Sequence, residues 1–312
     1  MNPLRETVKQ LWRAYGRLGY PLRPLTQLAE GPLRWYYRQS PLLRHDSRFY
    51  WKPYLLPLLH RALVVEHPQD FRVYQDQIKF RSQGSAVSVH GYYVGEFEYH
   101  LTQFFVQQLR PGLVMFDVGA HHGYHTLVVA YELKRRGWEG LIYSFEPDPE
   151  NFKLLEYNVR QNGLEQYVRC YCKAVSDVEA EQNLLSSSKE NSDNVLETTR
   201  PPTFARTDTV SKRVLVTTLD SFLLEVERVD LIKIDVQGGE PQVLAGAKAM
   251  IDRFHPVLIV EAVQDWPSTA QTKIFLGGHD YRIQAVTASG QLCDLESPAV
   301  YVSWDWVGIP QR

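Results

Sequence analysis

Two acidic residues that each close an apolar run, Asp117 and Glu146, lie 29 positions apart, and Gly119 and Gly123 stand between them. The local segment is VMFDVGAHHGYHT, Val114 to Thr126. It reads as an apolar strand, a carboxylate at its end, a glycine-spaced loop and the start of a helix. Gly119 would let the chain turn sharply, and Gly123 would let backbone approach a ligand where a Cβ would obstruct it. Glu146, followed by Pro147, is placed to accept hydrogen bonds from both hydroxyls of a ribose. It can also be read as a helix N-terminal charge, because Pro149 opens the next helical stretch. Asp117 discriminates between cofactors. A dinucleotide pyrophosphate would be repelled by a carboxylate beside a helix N-terminus, and the motif G-x-G-x-x-G is absent. S-adenosylmethionine (SAM) has no phosphate, and a nearby carboxylate favours its ammonium and sulfonium.

Two further acids close later apolar runs, Asp235 and Glu261. Ligands of open α/β sheets bind outside the carboxyl ends of the strands, which would bring both carboxylates near the reacting atoms. A hydroxyl nucleophile has a high pKa and must lose its proton as it reacts. Asp235 is the first candidate for that task, Glu261 the second, and His122 or His125 the third. Asp235 could instead cap the turn at Gly238-Gly239, and either histidine could simply pack.

The elements that must position these residues follow from periodicity. From Gly95 onward, short apolar runs alternate with helical stretches, as in a parallel sheet covered on both faces. Strands are expected at Val114–Val118, Leu141–Glu146, Val168–Val175, Leu231–Asp235 and Val257–Glu261. Helices are expected at Tyr124–Arg136, Pro149–Asn162 and Pro241–Ile251. Tyr281 to Val307 reads as antiparallel strands joined at Ser289-Gly290. The fold class is therefore a doubly wound, mostly parallel α/β sheet of about seven strands. Leu184 to Val210 is polar, carries Pro201-Pro202 and reads as a loop, either a plain surface excursion or a flap over the site.

Residues 1–94 are expected to form an N-terminal helical extension, with a helix over Tyr54–Val65, and 95–312 the main domain. Up to Pro53 the extension carries ten Lys/Arg against three acids, interleaved with aromatic residues. It reads as a helical cap, or as a surface for an anionic partner or a membrane face. The chain as a whole has a formal net charge of -2, which argues against a surface tuned to nucleic acid. No apolar run suits a membrane span, and Met1 to Gly19 lacks a secretory core. Cys170, Cys172 and Cys293 form no metal or disulfide framework, so a reduced, cytoplasmic protein is expected.

Six blocks, DVGAHHGYHT, YSFEPDPENFKLLEYNVRQNG, KAVSD, TTLDSF, DLIKIDVQGGEPQVLAGA and PVLIVE, stand in order across about Gly95 to Glu261. In that order they resemble the FkbM family of methyltransferases. The resemblance implies the class I methyltransferase fold, SAM as cofactor, and O-methylation of a hydroxyl on a sugar, glycan or natural product. Upstream, Phe97-Glu98 stands where the family has Tyr-Glu before Pro-Gly, so Glu98 joins the cofactor candidates. The expected cofactor set is Glu98, Asp117, Gly119, Ala120, His121, Gly123, Thr126, Glu146, Pro147, Ala174, Val175 and Asp235. Lys173 stands near the adenine end of that set, and Asp177 either contacts the adenine or forms the turn there.

Two departures stand out. His121 replaces the family's Asn, where an imidazole can still donate or accept. Gln237 replaces the glutamate of the strand-end motif Asp-x-Glu-Gly and removes a carboxylate near the reacting centre. Asp235 and Glu261 carry the oxygens that Mg²⁺ would take, but Gln237 weakens the cluster, and no metal is expected. Alternative readings are a catalytically weakened SAM-binding scaffold, an NAD-linked or nucleotide-sugar enzyme, and a nucleic-acid methyltransferase. The last lacks an N-P-P-Y type motif after the fourth strand.

Overall fold

Apolar runs bounded by turns pair side by side along this chain, and the described residues of the computed structural model are 68–83, 95–187, 194–199, 209–263, 266–297, 300 and 305–311. In chain order they form β1 (Gln69–Val73), β2 (Ile78–Ser82), α1 (Tyr99–Gln108), β3 (Leu113–Val118), α2 (Tyr124–Arg136), β4 (Gly140–Phe145) and α3 (Pro149–Gln161). There follow β5 (Val168–Tyr171), β6 (Ala174–Val175), β7 (Ala180–Ser187), β8 (Val195–Leu196), β9 (Thr209–Thr217) and β10 (Leu231–Ile234). The last elements are α4 (Glu240–Ala245), α5 (Lys248–Phe254), β11 (Val257–Glu261), α6 (Pro267–Gly278), β12 (Tyr281–Val286), β13 (Leu292–Cys293) and β14 (Asp305–Pro310).

Eight strands make the central sheet, in the order β13-β12-β14-β11-β10-β3-β4-β5. From β11 to β5 every neighbour is parallel, and β14 and β12 return antiparallel at the other side. The strand beyond the expected seven is the two-residue β13, paired to β12 across the turn at Ser289-Gly290. All four residues of β10 are buried, as a central strand covered on both faces requires. One apolar layer, with Phe104, Phe105, Leu127 and Leu133, packs α1, α2 and the β1–β2 hairpin on the sheet. The opposite layer holds Phe116, Phe145, Phe222, Ile232 and Val243. This is a doubly wound, mostly parallel α/β sheet, as the alternation of strands and helices in the sequence requires.

Four local expectations are corrected. Within the expected helical extension, residues 69–82 form an antiparallel hairpin. Its alternation places Phe71, Val73, Ile78 and Phe80 in the α1–α2 layer, a period of two that helical spacing cannot supply. The extension's Tyr54–Val65 helix and its basic, aromatic surface lie outside the described residues. The strand expected over Val168–Val175 divides into β5, in the central sheet, and β6, paired to β9 in a second sheet. That second sheet, β6-β9-β7-β8, takes up both ends of the expected polar loop, while 188–193 and 200–208 lie outside the described residues. Finally, the helix expected over Pro241–Ile251 is two, because the Asp220 carboxylate accepts from the backbone N–H of Ala249 and Met250 and gives α5 its own start.

Candidate active site

The cleft opens at the carboxyl ends of β3, β4, β10 and β11, and the chain leaving β3 shapes its floor. Gly119 has φ of 81°, and a Cβ there would stand 1.9 Å from the Asp235 carbonyl oxygen, so only glycine fits. The N–H groups of Gly119 and Ala120 both donate to the Phe145 carbonyl, at 3.0 and 2.9 Å, which binds the β3 loop to the end of β4. Glu146 then turns into the cleft. Its Oε2 accepts from the His121 N–H at 2.9 Å, and its Oε1 from the Asp148 N–H at 2.9 Å and the Asn151 amide at 3.4 Å. Burial pushes the Glu146 carboxyl up to about 7, against the pull of these donors. The capping role belongs to its neighbour, because Asp148 accepts from the N–H of Glu150 and Asn151 at the start of α3. Asp148 also pairs with Lys212 of β9 and accepts from Ser186 of β7, so the second sheet is tied to this side of the cleft.

The other end is a network of charges built around the buried Lys233 and Asp117. Lys233, in the middle of β10, lies 3.7 Å from Asp117 and 3.2 Å from Asp235. Burial alone would discharge it, but Asp235, Asp117 and Glu98 outweigh that effect and hold it protonated. Burial likewise opposes the Asp235 charge, and Lys233 and Gln237 more than offset it, so the carboxyl sits below its usual range. The Gln237 amide donates to both Asp235, at 3.1 Å, and Glu261, at 3.0 Å. Glu261 is pushed well above the usual carboxylate range, by burial first and then by Asp235, Glu240, Asp305 and Glu98. Gln237 therefore bridges two acids where a third carboxylate would add repulsion. On the near side, Glu98 meets His125 at 2.8 Å, and behind it His100 pairs with Asp305 at 2.7 Å.

The structure brings Glu98, Asp117, Gly119, Ala120, His121, Glu146, Pro147, Ala174, Val175, Asp235 and Glu261 to this one cleft, together with Lys173. Three residues of the expected catalytic and cofactor sets lie off its wall, as does Asp177. His122 is fully buried between Ser82 Oγ at 2.7 Å and Asn151 Oδ1 at 3.0 Å, and burial lowers its pKa far enough to keep it neutral. That placement corrects the expectation that His122 reaches the reacting atoms. Gly123 faces Leu155, whose Cδ1 would lie 2.5 Å from an added Cβ, so its role is close packing of α2 on α3 rather than approach to a ligand. Thr126 donates to Asp117 Oδ2 at 2.6 Å from behind and orients that carboxylate.

Sequence reasoning missed Lys233, Asn151, and the wall supplied by Leu184 of β7, Leu196 of β8, and Asn194 and Thr199 on either side of β8. The signal for Lys233 was present: a lysine two positions before Asp235 in a strand shares its face. Asn194 and Thr199 lay in a segment whose polarity hid two short strand pairings. Among the described residues, no three of His, Cys, Asp and Glu are grouped to hold a metal ion. Among those residues, no helix is long and apolar enough to cross a membrane.

A family profile described as the methyltransferase FkbM domain matches residues 117–283, more than half of the chain. The chain belongs to the FkbM methyltransferase family. Among solved structures it is similar to the methyltransferase FkbM from Methylobacillus flagellatus KT, at 16% identity and a TM-score of 0.43, over 70% of this chain and 52% of that one. The FkbM chain described here thus spans about half the length of that relative. It is also similar to an O-methyltransferase from Bacillus cereus in complex with SAH, at 12% identity and a TM-score of 0.39, over 68% and 81% of the two chains. An rRNA methylase from Streptococcus thermophilus is similar at 11% identity and a TM-score of 0.37, over 68% and 95%. No curated protein sequence matches the chain.

Proposed function

We propose that this protein transfers a methyl group from SAM to a hydroxyl group of a sugar, glycan or natural-product acceptor. The observation that carries the reading is the two-ended cleft. At one end Glu146 is held by backbone N–H groups with its carboxylate on the wall. At the other, Asp117 Oδ1 is buried and, beyond its ion pair with Lys233 at 3.7 Å, has no hydrogen-bond partner among the described residues. These acceptors match the ribose hydroxyls and the ammonium of SAM, and the Gly119 turn leaves room for backbone-close contact. When bound, SAM supplies an electrophilic methyl carbon on a sulfonium.

The residues of the chain do the rest. Glu146 grips the ribose, and the Gly119–His121 backbone sets its height. Ala174 and Val175 flank the base. Lys233 holds Asp117 and Asp235 in place, so neither carboxylate can swing during the reaction. Asp235 and Glu261, bridged by Gln237, face the acceptor and accept hydrogen bonds from its hydroxyls. Orientation in a dry site supplies most of the rate gain.

The test is mass spectrometry of the purified protein incubated with SAM and a panel of simple glycosides. A product heavier by one methyl in place of a hydrogen is the expected outcome. SAM binding without transfer to any member of the panel would favour a scaffold in place of an enzyme.

A further inference from the structure

We propose that His125, oriented by Glu98, is the group that takes the proton from the acceptor hydroxyl. The assignment rests on the methyl-transfer reading above and names the one proton-handling residue which that reading leaves open.

His125 is the second residue of α2, 5% exposed, and stands on the cleft wall. Three rings hold the imidazole in place: Phe105 at 5.2 Å, Tyr124 at 5.3 Å and Phe97 at 6.2 Å between centroids. Its Nε2 lies 2.8 Å from Glu98 Oε2. Its Nδ1 is buried and meets no hydrogen-bond partner among the described residues. A carboxylate only accepts, so a contact this short places a proton on Nε2, and in the neutral ring Nδ1 then carries the lone pair. A buried acceptor without a partner carries a desolvation cost that a ligand donor would remove. In this cleft, the donor that methyl transfer requires is the acceptor O–H.

Glu98 is built for that task. It precedes α1 with φ of 41°, a left-handed conformation that non-glycine residues seldom adopt, yet its side chain makes no capping bond. The strained backbone delivers the carboxylate to His125, not to its own helix. The competing carboxylates are already engaged. Asp235 accepts from Lys233 and Gln237, and Glu261 accepts from Gln237. The charged groups that act on His125 are Glu98, paired with it at 2.8 Å, and Asp235, whose carboxyl shares the cleft wall.

In the step itself, the acceptor O–H bond breaks and its proton passes to His125 Nδ1. The oxygen's electron pair forms the new bond to the methyl carbon, and the carbon–sulfur pair departs with sulfur as a neutral thioether. The imidazolium so formed is stabilised by Glu98 and returns its proton to water when product leaves.

The first test needs no acceptor. ¹⁵N NMR of the histidine side chains, in mildly alkaline buffer with the product S-adenosylhomocysteine bound, is expected to show His125 as the neutral Nε2–H tautomer. Glu98→Gln is expected to mix the tautomers, because an amide can donate as well as accept. A pure Nδ1–H tautomer in the unmutated protein would overturn the assignment. The second test uses any glycoside that accepts methyl in the screen. His125→Ala should keep its affinity for S-adenosylhomocysteine within about threefold, lose turnover by about 100-fold or more, and regain part of it with added imidazole. Full turnover in His125→Ala, or lost turnover that imidazole does not restore, would overturn the role. Should His125→Ala fail to fold, the tautomer in the unmutated protein still decides. Failure of the unmutated protein to bind S-adenosylhomocysteine would remove the underlying reading as well.

Discussion

The two ends of the cleft are built on different principles. The Glu146 end is made of backbone: N–H groups from His121 and Asp148 fix one carboxylate, and a glycine turn sets the distance. The Asp235 end is made of side chains, in which Lys233 and Gln237 hold Asp117, Asp235 and Glu261 together. A backbone-built end tolerates little variation in its loop, and its geometry is local. A network of charges depends on partners from several strands, and losing one member exposes the others. The ends should therefore fail differently when altered: one in cofactor affinity, the other in stability and turnover.

The largest effect is expected at the charged end. Lys233→Met leaves the buried Asp117 and the half-buried Asp235 without their cation and should cost about 3 kcal/mol in urea denaturation. A loss below about 1 kcal/mol would show that water already shares those charges. Next comes the cofactor end, where Glu146→Ala should weaken SAM binding by about 100-fold, or about 2.7 kcal/mol, while Glu261→Gln stays within about threefold. Equal losses in the two variants would erase the division between the ends.

A pH series sharpens the same contrast. Burial raises the Glu146 carboxyl to about 7 in the folded protein, from 4.5 for an ordinary glutamate. The folded state thus binds this proton more tightly, and the stability it contributes is full below the unfolded value and lost as pH rises through about 7. The ionised form is the one that accepts two hydroxyls. SAM affinity should therefore climb by about tenfold between about pH 6 and 8, and Glu146→Gln should flatten the curve. An unchanged slope in that variant would move the titration to another group. The smallest effect is expected for Gln237→Glu, about 1 kcal/mol of destabilisation from a third carboxylate, with a melting temperature that Mg²⁺ now raises. A magnesium response in the unmutated protein would contradict the bridging role given to Gln237.

The same division explains what the sequence disclosed. α2 spans Tyr124–Arg136, as its periodicity and Gly137 require, and β11 spans Val257–Glu261. The Asp117–Gly119–Glu146 end is legible because strand, turn and acid follow one another along the chain. His122 was misplaced because a loop sequence does not show which imidazole packs inward, and tertiary contacts with Ser82 and Asn151 bury this one. Lys233 could be placed beside Asp235 from its spacing alone, but its second partner, Asp117, comes from the neighbouring strand and appears only with the register of the sheet. The second sheet was invisible for a similar reason. β8 is two residues long, and its pairing with β7 spans a polar segment with no strand signal of its own.

Isothermal titration of SAM into the folded full chain tests the central claim most directly. A single site with a dissociation constant on the order of micromolar is expected, weakened about 100-fold by Glu146→Ala. No heat of binding and no thermal shift from a folded protein would mean that the cleft between Glu146 and Asp235 receives something other than this cofactor.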